Sequence, residues 1–172
     1  MTFMALADLL TLNDRANSEL ARANKNKSKG GVKMEKDLIL LPILIQVFLT
    51  VALYIYLAVA KSKATKLGLV NEDRRALYDD AWPENVLQIN NCIRNQFEVP
   101  VLFYVLVFML WMMGSVSIYV HVLSWLFVLS RIFHAYIHTG SNFVPIRRKV
   151  FMFGCLLVLA LGLLAAGAIL AR

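Results

Sequence analysis

Arg131, His134 and His138 follow one another at i, i+3 and i+7 near the end of an apolar stretch. On a helix they fall within an arc of roughly 60°. A second set, Asn91, Arg94, Asn95 and Glu98, falls within roughly 100° on another helix. Guanidinium, imidazole and amide donors with one carboxylate suit a small polyanion that also carries an ammonium group. Arginines fork onto its carboxylates, and Glu98 meets its amine. A nearby guanidinium also stabilises a thiolate relative to the thiol. Arg147, with Arg148 and Lys149 beside it, adds further cations. Ionisable groups in membrane-spanning segments are costly, usually face the bundle interior, and are read first as functional.

Each residue also has a plainer reading. Glu98 and Arg131 form an ion pair that only joins two helices. Arg94 snorkels to headgroups. His134 and His138 only hydrogen-bond to neighbouring helices. Arg147 to Lys149 only flank a span. Two histidines without a placed acid or cysteine do not make a zinc site, so no metal is expected. Cys92 and Cys155 lack a C-x-x-C partner.

The elements that must position these residues follow from composition. The chain has 172 residues, 59% hydrophobic and 17% charged, with a formal net charge of +7. A soluble domain is usually about 45–50% apolar and about 25% charged. An ordinary soluble domain is therefore excluded, as is a disulfide framework with only two cysteines. No nucleic-acid partner is expected. Four spans are read: Leu38–Ala60, a segment from near Val86 to Gly114, Ser117–His138, and Val150–Ala171. Lipid forces each backbone to satisfy itself, so the spans are helices. The fold class is an all-α membrane protein, a multi-pass bundle of four transmembrane helices over residues 38–171. Residues 61–90 and 139–149 are polar loops. Residues 1–37, basic and Gly-punctuated, read as a disordered tail. Spans two and three are joined by a few residues around Gly114-Ser115 and form an antiparallel hairpin. Glu98 and Arg131, 17 residues before and 16 after Ser115, then lie level, about 25 Å from the turn.

Charge orients the bundle. Loops one and three carry nine Lys/Arg, and the opposite side, counted with the tail, carries eight. Were Met34 the true start, the opposite side would keep only Lys36 and Arg172, and the net charge would fall to +4, since six bases and three acids leave. Nine against two is a clear positive-inside pattern. Both loops are then expected in the cytoplasm and both termini on the opposite side. N-terminal sequencing of natively expressed protein decides the start.

The runs Arg94-Asn95-Gln96-Phe97-Glu98-Val99-Pro100, Arg131-Ile132-Phe133-His134 and Val144-Pro145-Ile146-Arg147 resemble the MAPEG family, the membrane-associated proteins of eicosanoid and glutathione metabolism. The resemblance covers roughly residues 38–171. It implies a homotrimer of four-helix subunits, with glutathione as cosubstrate between neighbouring subunits near the cytoplasmic face. It implies that Asn95, Glu98, Arg131 and His134 bind glutathione, with Arg94 and His138 beside them, and that Arg147 activates the thiolate. A transferase or peroxidase acting on a hydrophobic small molecule from the bilayer is one expectation. A non-enzymatic lipid-binding or partner-binding protein is the other, since the family includes such a member. Two residues depart from the family pattern. Asn91 stands where an arginine is usual, and His138 where a tyrosine is frequent.

Overall fold

The computed structural model describes Glu19 and residues 37–171. The chain divides into two units, Met1–Leu38 and Ile39–Arg172. The disordered tail expected over 1–37, and the start expected at Met34, lie outside the described residues apart from Glu19 and Asp37. The second unit is a helical bundle. Its helices are α1 (Leu40–Lys66), α2 (Glu84–Arg94), α3 (Val99–Met112), α4 (Ile118–Thr139) and α5 (Val144–Leu170). Four segments are long and apolar enough to cross a membrane: α1, α2 with α3, α4, and α5. No strand occurs among the described residues. Large apolar side chains such as Phe48, Ile55, Leu102, Leu129 and Leu163 face outward, as lipid requires and water would penalise.

Two helix ends show why the chain turns where it does. Gly114, at φ 66°, follows α3; its N–H bonds the Trp111 carbonyl, and the Ser115 N–H bonds Leu110. This left-handed cap satisfies two orphan carbonyls and starts the hairpin. Gly68, at φ 65°, ends α1 by the same pair of bonds, to Thr65 and from Leu69 to Ala64. Ser117 then caps α4 by accepting from the Val120 N–H at 3.4 Å.

The segment read as one span from Val86 is two helices. A tight 3-10 turn, Asn95–Phe97, separates α2 from α3. Pro100 lacks an N–H and its ring excludes a carbonyl four residues back, so the helix cannot run through. The last helix begins at Val144, not at the first uncharged residue, Val150. Pro145 suits a helix's first turn, where no N–H partner is needed. Arg147, Arg148 and Lys149 thus lie on a helix rather than in a loop.

Packing follows side-chain size. The α3–α4 hairpin is held by large residues, with Phe103 stacked on Phe127 at 4.4 Å between ring centroids. α5 approaches both helices more closely, through Gly154, Leu157, Val158, Leu161 and Ala165. One apolar cluster joins α3, α4 and α5. A second joins Leu53 and Leu57 of α1, Ile89 and Cys92 of α2, and Ala135 of α4. Along α1, the α2–α3 break and α4, the buried polar residues Gln46, Gln96 and Arg131 fall between the stretches that feed the two clusters. The Gln46 amide donates to Gln96 Oε1 at 2.8 Å, and Gln96 Nε2 donates to the Cys92 carbonyl at 3.2 Å.

A Cβ at Gly154 would meet Ser130 Oγ at 3.5 Å, Phe127 at 3.7 Å and Arg131 Cδ at 4.0 Å, which is ordinary contact. Gly154→Ala should therefore leave the thermal stability of the detergent-solubilised protein nearly unchanged. Gly154→Leu should destabilise it by about 1–3 kcal/mol, since the added carbons wedge α5 from α4. Thermal unfolding of both variants checks this pair.

Candidate functional site

The polar stripe of α4 points into the bundle. Arg131, His134 and His138 are 1%, 2% and 3% exposed. Their i, i+3, i+7 spacing puts all three on the buried face. Arg131 Nη2 donates to the Asn95 carbonyl at 3.1 Å. That carbonyl lies at the helix break forced by Pro100, so the kink presents an acceptor to the guanidinium. Phe151 of α5 lies beneath, with its ring 5.7 Å from the guanidinium carbon and 5.9 Å from the His134 ring. His134 and His138 meet edge-on at 5.6 Å.

Arg147 reaches the same place from α5. Its Nη1 lies 3.4 Å from His138 Nε2 and also donates to Asn142 Oδ1. An arginine is always charged and can only donate. The His138 ring therefore accepts at Nε2 and carries its proton on Nδ1. Asn142 sits at φ 50°, a left-handed conformation that asparagine tolerates. Its N–H bonds the Ile137 carbonyl at 2.8 Å. The loop between α4 and α5 is thereby shaped to hold Arg147 against His138.

His134, Arg147 and Phe151 line a cleft of about 240 Å³ together with Asn95, Val144 and Arg148, while Arg131 and His138 do not line it. A larger cleft of about 620 Å³, on the α1 and α3 side, is lined by Tyr104, Phe108 and three methionines and holds none of these cations. Arg131 Nε and Nη1, His134 Nδ1 and His138 Nδ1 are buried with no hydrogen-bond partner among the described residues. Buried polar nitrogens are normally satisfied, so orphaned donors beside a cleft fit an anionic ligand. The lining's two guanidinium groups, Arg147 and Arg148, with the His134 imidazole, suit an anion and repel a cation. The volume is below the roughly 300–1,000 Å³ usual for a ligand pocket.

Two candidate residues stand apart. Glu98 is exposed and forms no ion pair with Arg131, although it lies within electrostatic reach of it. The level placement expected from the hairpin does not become contact, because the 3-10 turn rotates Glu98 outward and turns Gln96 inward. Arg94, also exposed, is ion-paired to Asp79 of the preceding loop, and Asn90 shares that carboxylate. Asn91 is exposed as well, and its carbonyl accepts from the Asn95 side chain at 3.1 Å. Phe151, Asn142 and Gln96 escaped the sequence reading. Only Asn142 had a signal there, as an asparagine in the Gly140-Ser141-Asn142 turn before a helix.

Arg131 is a nearly bare buried cation with one hydrogen bond to the protein. Replacing a buried charge by an apolar side chain of similar volume is often neutral or stabilising. Arg131→Met should leave the ligand-free melting stability within about 1 kcal/mol of the parent or raise it. A loss well beyond that in thermal unfolding would mean the guanidinium is structural.

The family comparison matches the MAPEG family model over residues 39–167, which spans all five helices almost to the end of α5. No curated protein and no solved structure matches the chain. A four-helix membrane bundle, matched over most of its length, makes this chain a member of the MAPEG family.

Proposed function

We propose that the protein is an integral membrane glutathione-dependent transferase or peroxidase acting on hydrophobic electrophiles. The observation that carries this reading is a cleft lined by Asn95, His134, Arg147 and Arg148, next to the buried Arg131 and His138, whose nitrogens include orphaned ones. Glutathione supplies a thiol nucleophile and two carboxylates. Arg131, His134 and Asn95 bind it, with His138 orienting Arg147. Arg147 lies against the cleft wall and favours the thiolate by its positive charge. Glu98 and Arg94 complete the ligand's amine and carboxylate contacts from the rim. The small cleft and the outward Glu98 support a site finished by a second subunit, as in a homotrimer. An exposed carboxylate in a spanning segment is otherwise expensive in lipid. Loops one and three and the helix ends beside them, which together carry nine bases, face the cytoplasm, with both termini opposite. The electrophile arrives through the bilayer.

Within the family, the Arg94–Pro100 run with Arg131-x-x-His134 and Pro145-x-Arg147 resembles microsomal prostaglandin E synthase, which supports an enzymatic reading. Arg148 stands where that enzyme has a serine, so its isomerase chemistry is not carried over. The second reading is a non-enzymatic member binding a lipid or a partner, with the polar cluster as structural glue. Arg131's bond to the Asn95 carbonyl favours it, as do Asn91 and His138.

Calorimetry at millimolar glutathione should show saturable binding by the full chain in detergent, and weaker binding by Glu98→Gln. No binding by the parent protein would assign it to the non-enzymatic reading. Arg147→Ala should lower turnover of an electrophile by about 10²–10³-fold, the scale of a lost charge-stabilising group. Cross-linking should show the same oligomer as the parent. Unchanged turnover would remove Arg147 from the mechanism.

A further inference from the structure

Arg147 is held by one end of its guanidinium. Nη1 donates to Asn142 Oδ1 and lies 3.4 Å from His138 Nε2. A contact of 3.4 Å is long for a hydrogen bond, so the Asn142 amide carries most of the hold. Nη1 has two of the five N–H donors of a guanidinium. Both are spent here, and no other guanidinium nitrogen of Arg147 bonds to protein among the described residues. The edge made by Nε and Nη2 keeps three donors, on a residue that lines the cleft. Such an edge is the fork with which arginine meets an anion. Arg148, the next residue, lines the same cleft but is exposed and has no ion-pair partner among the described residues. Of two neighbouring arginines on one cleft, one is tethered.

The tether comes from a residue whose backbone already has a different job. Asn142 lies in the turn between Thr139, the end of α4, and Val144, the start of α5. Its backbone is left-handed at φ 50°, and its N–H closes the turn on the Ile137 carbonyl at 2.8 Å. Glycine adopts that conformation without steric cost, and asparagine and aspartate tolerate it. The turn alone is therefore met best by glycine. An asparagine adds one thing that glycine lacks, a side-chain oxygen, and that oxygen is the one bonded to Arg147.

We propose that Asn142 is the positioning residue of Arg147: its side-chain oxygen anchors Nη1 and so turns the Nε and Nη2 edge onto the cleft. The chemical consequence rests on the glutathione reading above, in which Arg147 favours the thiolate. A guanidinium on a flexible stem, released from its anchor, spends less time against the sulfur and stabilises it less.

The test compares Asn142→Gly and Asn142→Asp with the parent full chain in detergent. Glycine keeps the turn and removes the oxygen, whereas aspartate keeps both. The first readout needs no glutathione. It is the rate at which phenylglyoxal modifies Arg147, read by peptide mass spectrometry against Arg148 as the internal reference. Asn142→Gly should raise the Arg147 rate several-fold over the parent, and Asn142→Asp should hold it at the parent's level. Asn142→Gly should also melt like the parent. An unchanged Arg147 rate in Asn142→Gly would overturn the proposal. So would a clear fall in its melting temperature, which would assign the side chain to the loop's own structure. The second readout is the ultraviolet absorbance of bound glutathione thiolate against pH, with kcat and KM for an electrophile. In Asn142→Gly the thiolate should form at higher pH, and kcat should fall about tenfold with KM for glutathione little changed, the scale of one hydrogen bond to a charged group. An Arg147 that is released while thiolate and kcat stay as in the parent would also overturn the proposal, with the glutathione reading intact. A parent protein that forms no bound thiolate would sink the glutathione reading instead, and the phenylglyoxal rates would still decide whether Asn142 anchors Arg147.

Discussion

A guanidinium buried in a membrane bundle constrains most of this structure. Arg131 is 1% exposed, in the middle of a bundle whose outer face is apolar. Such a charge is tolerated only where carbonyls, dipoles or a ligand meet it. The protein supplies one carbonyl by breaking its second membrane segment. Pro100 forces the break, the break turns the Asn95 carbonyl toward Arg131, and Phe151 lays a ring face beneath the cation. The kink in the helix and the position of the charge therefore have a common cause.

The same constraint separates the bundle into a packing half and a chemical half. Toward the hairpin turn, Phe103, Phe127 and the close-packed face of α5 make an apolar core with ordinary aromatic contacts. Beyond the polar layer of Gln46, Gln96 and Arg131, a line of imidazoles leading to Arg147 runs beside the second apolar cluster. The Gln46–Gln96 bond ties α1 to the break at that level. An interhelical hydrogen bond of this kind adds only about 0.6–2 kcal/mol in a membrane. It also selects one rotation of α1, since any other would leave the Gln46 amide and Gln96 Oε1 without each other. Positioning the site and packing the bundle are one problem at this level.

Family membership explains the architecture and leaves the chemistry to the site. Arg147, His138 and Asn142 form a chain of contacts that fixes the guanidinium at the cleft. An imidazole in place of a phenol keeps a polar contact at His138 and changes its character, because here the ring accepts from Arg147. Glu98 stands on the outer surface, away from the buried stripe of α4.

By itself the sequence determined the four apolar segments, the hairpin at Gly114 and the helical stripe of Arg131, His134 and His138. These depend on composition and on a 3.6-residue period, both local properties. Arg147 was also legible, as a cation beside a span. The tertiary structure decided the rest. Whether Glu98 meets Arg131 depended on the rotation that a 3-10 turn introduces, and a few residues of altered twist move a side chain by about a third of a turn or more. Whether Arg94 faces a ligand depended on Asp79, fifteen residues away and on another element. Gln96 and Phe151 are ordinary residues in the sequence and join the polar layer and the site only because α1 packs against Gln96 and α5 lays Phe151 against α4. Local periodicity states which face a residue occupies, and only the packed neighbours state what that face touches.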